Sequence, residues 1–460
     1  MSPAHERPLA RPAAEGTQSI AEGGPARPTA IRGALLTFEG DPFTAGDAAV
    51  RYERDAIVAM ANGRIVDCGA AAEVERRLPP GTPVTHYANA LISAGFVDAH
   101  VHYAQLGVIG AGGLPLLGWL ERHTFPAESR YADAPYARDV AQRYVAESLR
   151  HGITTALVFC TVHPHSVDVL FESALALDLR TIAGKVLMDR HAPGDLLDTA
   201  QRGYDESKAL IDRWTGRGRL GYAITPRFAA TSSPEQLEAA GALWRERPGT
   251  WLQSHVAENA AEVSWIRELF PERAGYLHVY EHHGLLGPRA IYAHGIHLDE
   301  RDWRTLHDSG SAIAHCPTSN NFLGSGLFRM ACARDVKRPV HVALGSDVGG
   351  GTHLSMLRTM QAACEVAQMA GGPLSPTRAW WLATAGGAAA LRLEDSIGTV
   401  APGREADLVV LDLASTPLVE FRMRSVQGLD EMLGVQMALG DDRAIRATYA
   451  AGRLVHDRDA

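Results

Sequence analysis

Between residues 91 and 348 the chain alternates short apolar, β-branched runs with longer stretches of helical period, and no other feature constrains its fold as tightly. The runs are LISAGFVDAHVH, GITTALVFC, RTIAGKVLM, RLGYAITPRF, TWLQSHVAE, AIYAHGIHL, SAIAHCPTSN and VHVALGSDV. Strands separated by helices pair in parallel, because a crossover of a dozen or more residues is needed to return the chain to the same end of a sheet. Eight such units predict an α/β fold, a closed (β/α)8 TIM-like barrel. In that fold reactive groups stand at the C-terminal ends of the strands.

A chain of 460 residues exceeds one such barrel of roughly 250–350 residues, and both ends supply the remainder. Residues 1–29 are rich in Pro, Ala, Gly and charge without apolar periodicity, the pattern of a disordered tail. Residues 30–92 carry β-like runs (AIRGALLTF, DAIVAMANGRIVDCG, PVTHYANALI) broken by turn signals such as Asn62-Gly63. Residues 396–460 repeat that character in IGTVAPGREADLVVLDL and AIRATYAAGRLVHD. The expectation is one small composite β-sandwich domain from 30–92 and 396–460, with the barrel over 93–395.

Charge and cysteine usage narrow the partners. A net charge of −9 with no Lys/Arg-rich block argues against a nucleic-acid surface and for a small-molecule partner. The five cysteines show no CxxC or paired spacing, which fits a reduced compartment and gives no cysteine metal site. No secretory signal pattern opens the chain. The uncharged stretch of residues 379–391 is glycine-interrupted and far short of the ~20 residues of a membrane span. The expected location is cytoplasmic, away from any membrane.

Titratable residues fall where the barrel rule wants them. His100 and His102 end the first strand, and a one-residue gap on an extended chain turns both imidazoles to one face. His255 ends strand five, His294 strand six and Asp347 strand eight. Imidazoles with a carboxylate suit zinc with one open position for water, and iron(II) fits the same donors. Two-metal relatives of such barrels end strand four in a bridging lysine, whereas here it ends in Thr225-Pro226-Arg227-Phe228 and Lys185 lies mid-strand, a structural position. One metal per chain is expected. Glu258, three residues beyond His255, suits proton shuttling in a dry pocket; the alternative is a surface carboxylate opening the next helix. A zinc site built on HxE and PCxxC signatures is absent.

The set GFVDAHVH, QSHVAE, YAHG, AHCPTSN and LGSD resembles the amidohydrolase superfamily, and LPLLGWLERHTFPAE with TPRF resembles its guanine-deaminating branch. The likeness runs from about residue 30 onward. It implies zinc on His100, His102, His255 and Asp347, with His294 orienting the attacking water, Asp347 taking its proton and Glu258 protonating the purine ring nitrogen and the departing amine. Gln105 would bond the base edge, Arg227 would donate to the guanine carbonyl oxygen, and Phe228 would pack on the purine face. His255, Glu258 and Asp347 would touch the substrate too. Trp119 and its loop would form a lid or pack on a neighbouring subunit of a homodimer. His163, beside the additional His165, is a further candidate to reach the pocket. The metal residues do not separate guanine from another amino-purine, a pyrimidine or an s-triazine. A non-catalytic barrel would be expected to lack ligands, and none is missing.

Overall fold

The computed structural model describes residues 27–460, so most of the expected N-terminal tail lies outside the described residues. The barrel strands are β5 (Phe96–His102), β6 (Ile153–Phe159), β7 (Arg180–Gly184) with its short continuation β8 (Val186–Leu187), β9 (Gly221–Pro226), β10 (Trp251–Val256), β11 (Ala290–His294), β12 (Ala312–His315) and β13 (His341–Leu344). They pair in parallel in that order. Every expected barrel run therefore supplies a strand.

β5 and β6 are buried along their whole length, as parallel strands covered on both faces must be. Phe96, Val101, Val158 and Phe159 join the main core. A second cluster gathers small side chains of the barrel strands such as Ala99, Ala223, Ala293, Ala314 and Ala343. The helix Ala385–Ala390 packs on β5 and β13 at the starts of the strands: Val97 N donates to the Ala383 carbonyl, and Trp251 Nε1 to that of Leu391. This stoppers one end of the barrel. The other end is left for the site.

The ring closes between β13 and β5 without a regular ladder. Asp347 N donates to the His100 carbonyl at 2.9 Å and His102 N to that of Val348 at 3.0 Å. Behind them the Asp98 carboxylate accepts from Ser346 N (2.8 Å) and Ser346 Oγ (2.5 Å). A Cβ on Gly345 would stand 2.8 Å from His100 Cβ and 3.0 Å from the His100 carbonyl oxygen, so the seam needs glycine there. Closure and site assembly are thus one event in the sequence pair FVDAHVH and LGSD.

Both chain ends build one seven-stranded mixed sheet. It comprises β1 (Thr29–Phe38), β2 (Val50–Ala61), β3 (Arg64–Ala70), β4 (Val84–Ala94), β14 (Leu408–Asp412), β15 (Ile445–Ala450) and β16 (Arg453–Asp457), in the order β16-β15-β14-β4-β1-β2-β3. Only β1 and β4 pair in parallel. The residues LISA of the first expected barrel strand belong to β4, and the chain passes into β5 at Gly95. Arg219, just before β9, donates to Glu405 (2.6 Å) and Asp407 (2.7 Å) beside β14, tying barrel to sheet. No helix among the described residues is long and apolar enough to cross a membrane.

Candidate active site

The C-terminal strand ends gather four side chains into one cluster. One donor atom each from His100, His102, His255 and Asp347 lies within 4.8 Å of the others. His102 Nε2 is 3.1 Å from His255 Nε2, and Asp347 Oδ1 is 3.2 Å from His100 Nε2 and 3.5 Å from His102 Nε2. Four ligands at about 2.0–2.1 Å from a common tetrahedral centre stand about 3.3 Å apart, which these separations match. Burial pulls His100 down to about 3 and holds His102 and His255 well below the ordinary imidazole range, so all three rings are neutral. His255 Nδ1 donates to the Arg227 carbonyl at 2.6 Å, leaving its Nε2 lone pair toward the cluster. His100 Nε2 and His102 Nδ1 are buried without hydrogen-bond partners. Neutral imidazoles, a carboxylate and orphaned nitrogens fit a divalent cation held by these four residues.

His294 differs from the other three. The Asn320 amide nitrogen donates to His294 Nδ1 at 2.9 Å, which puts the proton of the neutral ring on Nε2. That Nε2–H faces Glu258 Oε2 at 3.3 Å and Asp347 Oδ2 at 3.8 Å, so it offers a donor and no lone pair. Cys316 also lies near His294 and Asp347. Burial pushes its thiol well up, keeping it protonated.

Glu258, two residues past β10, is buried, and its carboxyl is pushed well above the ordinary range by burial, then by the charges of Asp347 and Glu262. Its Oε1 accepts from Ser325 Oγ at 3.3 Å. Its backbone is pinned by Glu262, whose Oε2 accepts from Glu258 N (2.9 Å) and Asn259 N (3.1 Å) while Oε1 accepts from Tyr276 Oη at 2.7 Å. His294 and Asp347 adopt left-handed backbone conformations (φ 75° and 50°), and Ala257 between His255 and Glu258 does too (φ 50°). Non-glycine residues hold such angles only where surrounding structure enforces them, and they concentrate at functional sites.

A cavity opens over these groups, lined by His102, His255, Glu258, His294 and Asp347 on the reactive side. Opposite stand Gln105, Arg227 and Phe228, and Leu116, Trp119 and Leu120 supply an apolar cover. The cover is the short helix Leu116–Trp119 running into a π-helical turn, Leu120–Thr124, and is fastened by Trp119 Nε1 donating to the Ala111 carbonyl at 2.6 Å. π-turns are uncommon and recur at functional sites. Of the ten residues given a metal, catalytic or substrate role in sequence, nine line this cavity, and His100 lies behind them in the cluster. His163 and His165 do not line it: their rings stack at 5.7 Å and His165 Nε2 donates to the Tyr131 carbonyl. Lys185 is fully buried in ion pairs with Asp198 and Glu206, remote from the cluster.

Sequence reading passed over Glu128, Glu262, Asn320 and Ser325. Glu128 and Asn320 sit inside the quoted motifs TFPAE and AHCPTSN, and Glu262 completes a capping box with Asn259, a signal available three residues after an Asn.

The amidohydrolase family model matches residues 91–455. The guanine deaminase of Escherichia coli K12 is 48% identical over 90% of this chain and 93% of its own. The solved structure of E. coli guanine deaminase superposes with a TM-score of 0.91 at 46% identity, covering 94% of this chain and all of that one. A guanine deaminase from C. acetobutylicum, solved with guanine bound in its active site, superposes with a TM-score of 0.84 at 26% identity over 94% of this chain and all of that one.

Proposed function

The chain belongs to the amidohydrolase family and, within it, to the guanine deaminases, and from that premise we propose how its own residues hydrolyse guanine to xanthine and ammonia. The observation that carries the reading is one cavity in which the His/His/His/Asp cluster and Glu258 face a polar wall of Gln105 and Arg227. His100, His102, His255 and Asp347 would hold one zinc ion, which when bound supplies a Lewis acid able to bring the pKa of a water toward about 7.

The remaining chemistry belongs to the protein. Asp347 Oδ2 accepts a proton from the attacking water, and His294 Nε2–H holds that water in line with the carbon bearing the exocyclic amine. Glu258, kept protonated by its burial, protonates the ring nitrogen beside that carbon, so negative charge does not build on the purine. Left ionised, Glu258 takes the proton of the newly added hydroxyl as the product carbonyl forms and passes it to the departing amine, and the proton held by Asp347 returns to Glu258, restoring both groups. Arg227 donates to the guanine carbonyl oxygen, Gln105 bonds the base edge, and Phe228 packs on the ring face. Leu116, Trp119 and Leu120 exclude bulk water, which strengthens each of these polar contacts. The unpaired cysteines, three of them buried thiols, suit a reducing cytoplasmic setting.

Ammonia release measured across guanine, adenine, cytosine and triamino-s-triazine, with xanthine identified as product, tests the assignment. Guanine is expected to lead, and a clear preference for the pyrimidine or the triazine would overturn it. Elemental analysis is expected to find about one zinc per chain. Chelation is expected to abolish turnover while circular dichroism still reports a folded barrel, because the apolar core clusters pack without the four ligand side chains. Two metals per active chain, or unfolding on chelation, would contradict a mononuclear catalytic site; iron in place of zinc would change the ion and leave the ligand set.

A further inference from the structure

Glu128 is buried behind the polar wall of the cavity and does not line it. Its Oε2 accepts from Arg227 Nη1 at 2.7 Å and its Oε1 from Gln105 Nε2 at 3.0 Å. Gln105 Oε1 in turn accepts from Gly349 N at 3.2 Å. A carboxylate only accepts and a backbone N–H only donates, so these two neighbours fix which end of the Gln105 amide points where. The same carboxylate fixes the guanidinium, which rests 5.6 Å above the Phe125 ring. Two of the groups that would read the base are thus set by one residue that does not reach it.

We propose that Glu128 is the positioning residue for guanine recognition, acting through Arg227 and Gln105 at once. The proposal rests on guanine occupying the cavity as assigned above. The segment that carries it explains the arrangement. Leu116, Trp119 and Leu120 cover the cavity, and beyond the π-turn the next helix, Phe125–Ser129, turns Glu128 to the back of the wall. One segment therefore supplies both the apolar cover and the anchor of the polar face.

Glu128→Gln probes this with almost no change of volume. The new amide keeps an oxygen for Arg227 but presents N–H to Gln105. To accept it Gln105 must flip, and its own NH₂ then meets the Gly349 N–H, donor against donor. The expected result is a loss of at least tenfold in kcat/KM for guanine, most of it through KM, at unchanged metal content, since the ligands His100, His102, His255 and Asp347 and the proton-handling groups Glu258 and His294 are untouched. A merely structural carboxylate would lower the thermal midpoint while leaving KM of the folded enzyme unchanged, and that result overturns the proposal. In a Gln105→Ala background the same substitution is expected to cost less than threefold, because residues acting through one another are not additive; a full tenfold loss there also overturns it. If Glu128→Gln does not fold, Glu128→Asp carries the same KM test, keeping the charge opposite Arg227 on a shorter stem. Failure of the underlying assignment looks different: Arg227→Ala alone would then leave guanine turnover unchanged.

Discussion

Glu258→Gln is expected to lower kcat for guanine by about 10²-fold to 10⁴-fold, the range for a lost general acid/base, with the metal site still filled. The side chain lies in a dry corner where burial, the Asp347 charge and the Glu262 charge all favour its protonated form. That makes it a proton donor at neutral pH. Glutamine keeps the volume and can accept the Ser325 hydroxyl bond, and the backbone stays pinned by Glu262. What it lacks is a proton to give. Both the ring nitrogen and the leaving amine need one, so the loss falls on bond making and bond breaking alike. Measuring metal content and kcat on the same preparation isolates the effect. Near-normal turnover in metal-replete protein would remove Glu258 from the chemistry.

The sequence made legible whatever depends on period and residue type. The barrel runs were readable because parallel strands buried on both faces are continuous apolar stretches, and the cluster because histidines and a carboxylate recur at strand ends. The mononuclear reading followed from a fourth strand that ends in Thr225-Pro226-Arg227-Phe228 and so offers no bridging lysine. Lys185 proves structural, paired with Asp198 and Glu206 as its mid-strand place suggested. The exact place of the handover, Gly95 instead of the expected boundary after residue 92, was not readable, since an unbroken apolar run carries no mark of which sheet each part joins. Local sequence also left His163 open, because whether a strand-end ring turns inward depends on its neighbours. Here it stacks on His165 away from the cavity. The meaning of Glu128 was hidden for a related reason: its partners Gln105 and Arg227 lie 23 and 99 residues away along the chain, and only closure of the barrel brings them together.

Arg227→Ala is expected to lower kcat/KM for guanine by on the order of 2–4 kcal/mol, as for other truncated partners of buried charge-assisted contacts. Two penalties are mixed in that number. The contact to the carbonyl oxygen is lost, and Glu128, at 2.7 Å in the native protein, is left buried without its cation. 2-Aminopurine separates them, because it carries the same leaving amine and no carbonyl oxygen. A site built around a donor for that oxygen leaves the donor unpaired when the analogue binds, and such mismatches can reach roughly 10⁴-fold to 10⁵-fold. The two rings also differ in intrinsic reactivity at the attacked carbon, so the wild-type preference alone does not measure the contact. Comparing both substrates with both proteins cancels intrinsic reactivity along one axis and the stranded carboxylate along the other, and only the contact to the oxygen survives in the ratio. The expected outcome is a large loss for guanine and a much smaller one for 2-aminopurine. Equal losses would mean that the guanidinium serves only to neutralise Glu128, and the physical support for guanine recognition would then have to come from Gln105 and Phe228 alone.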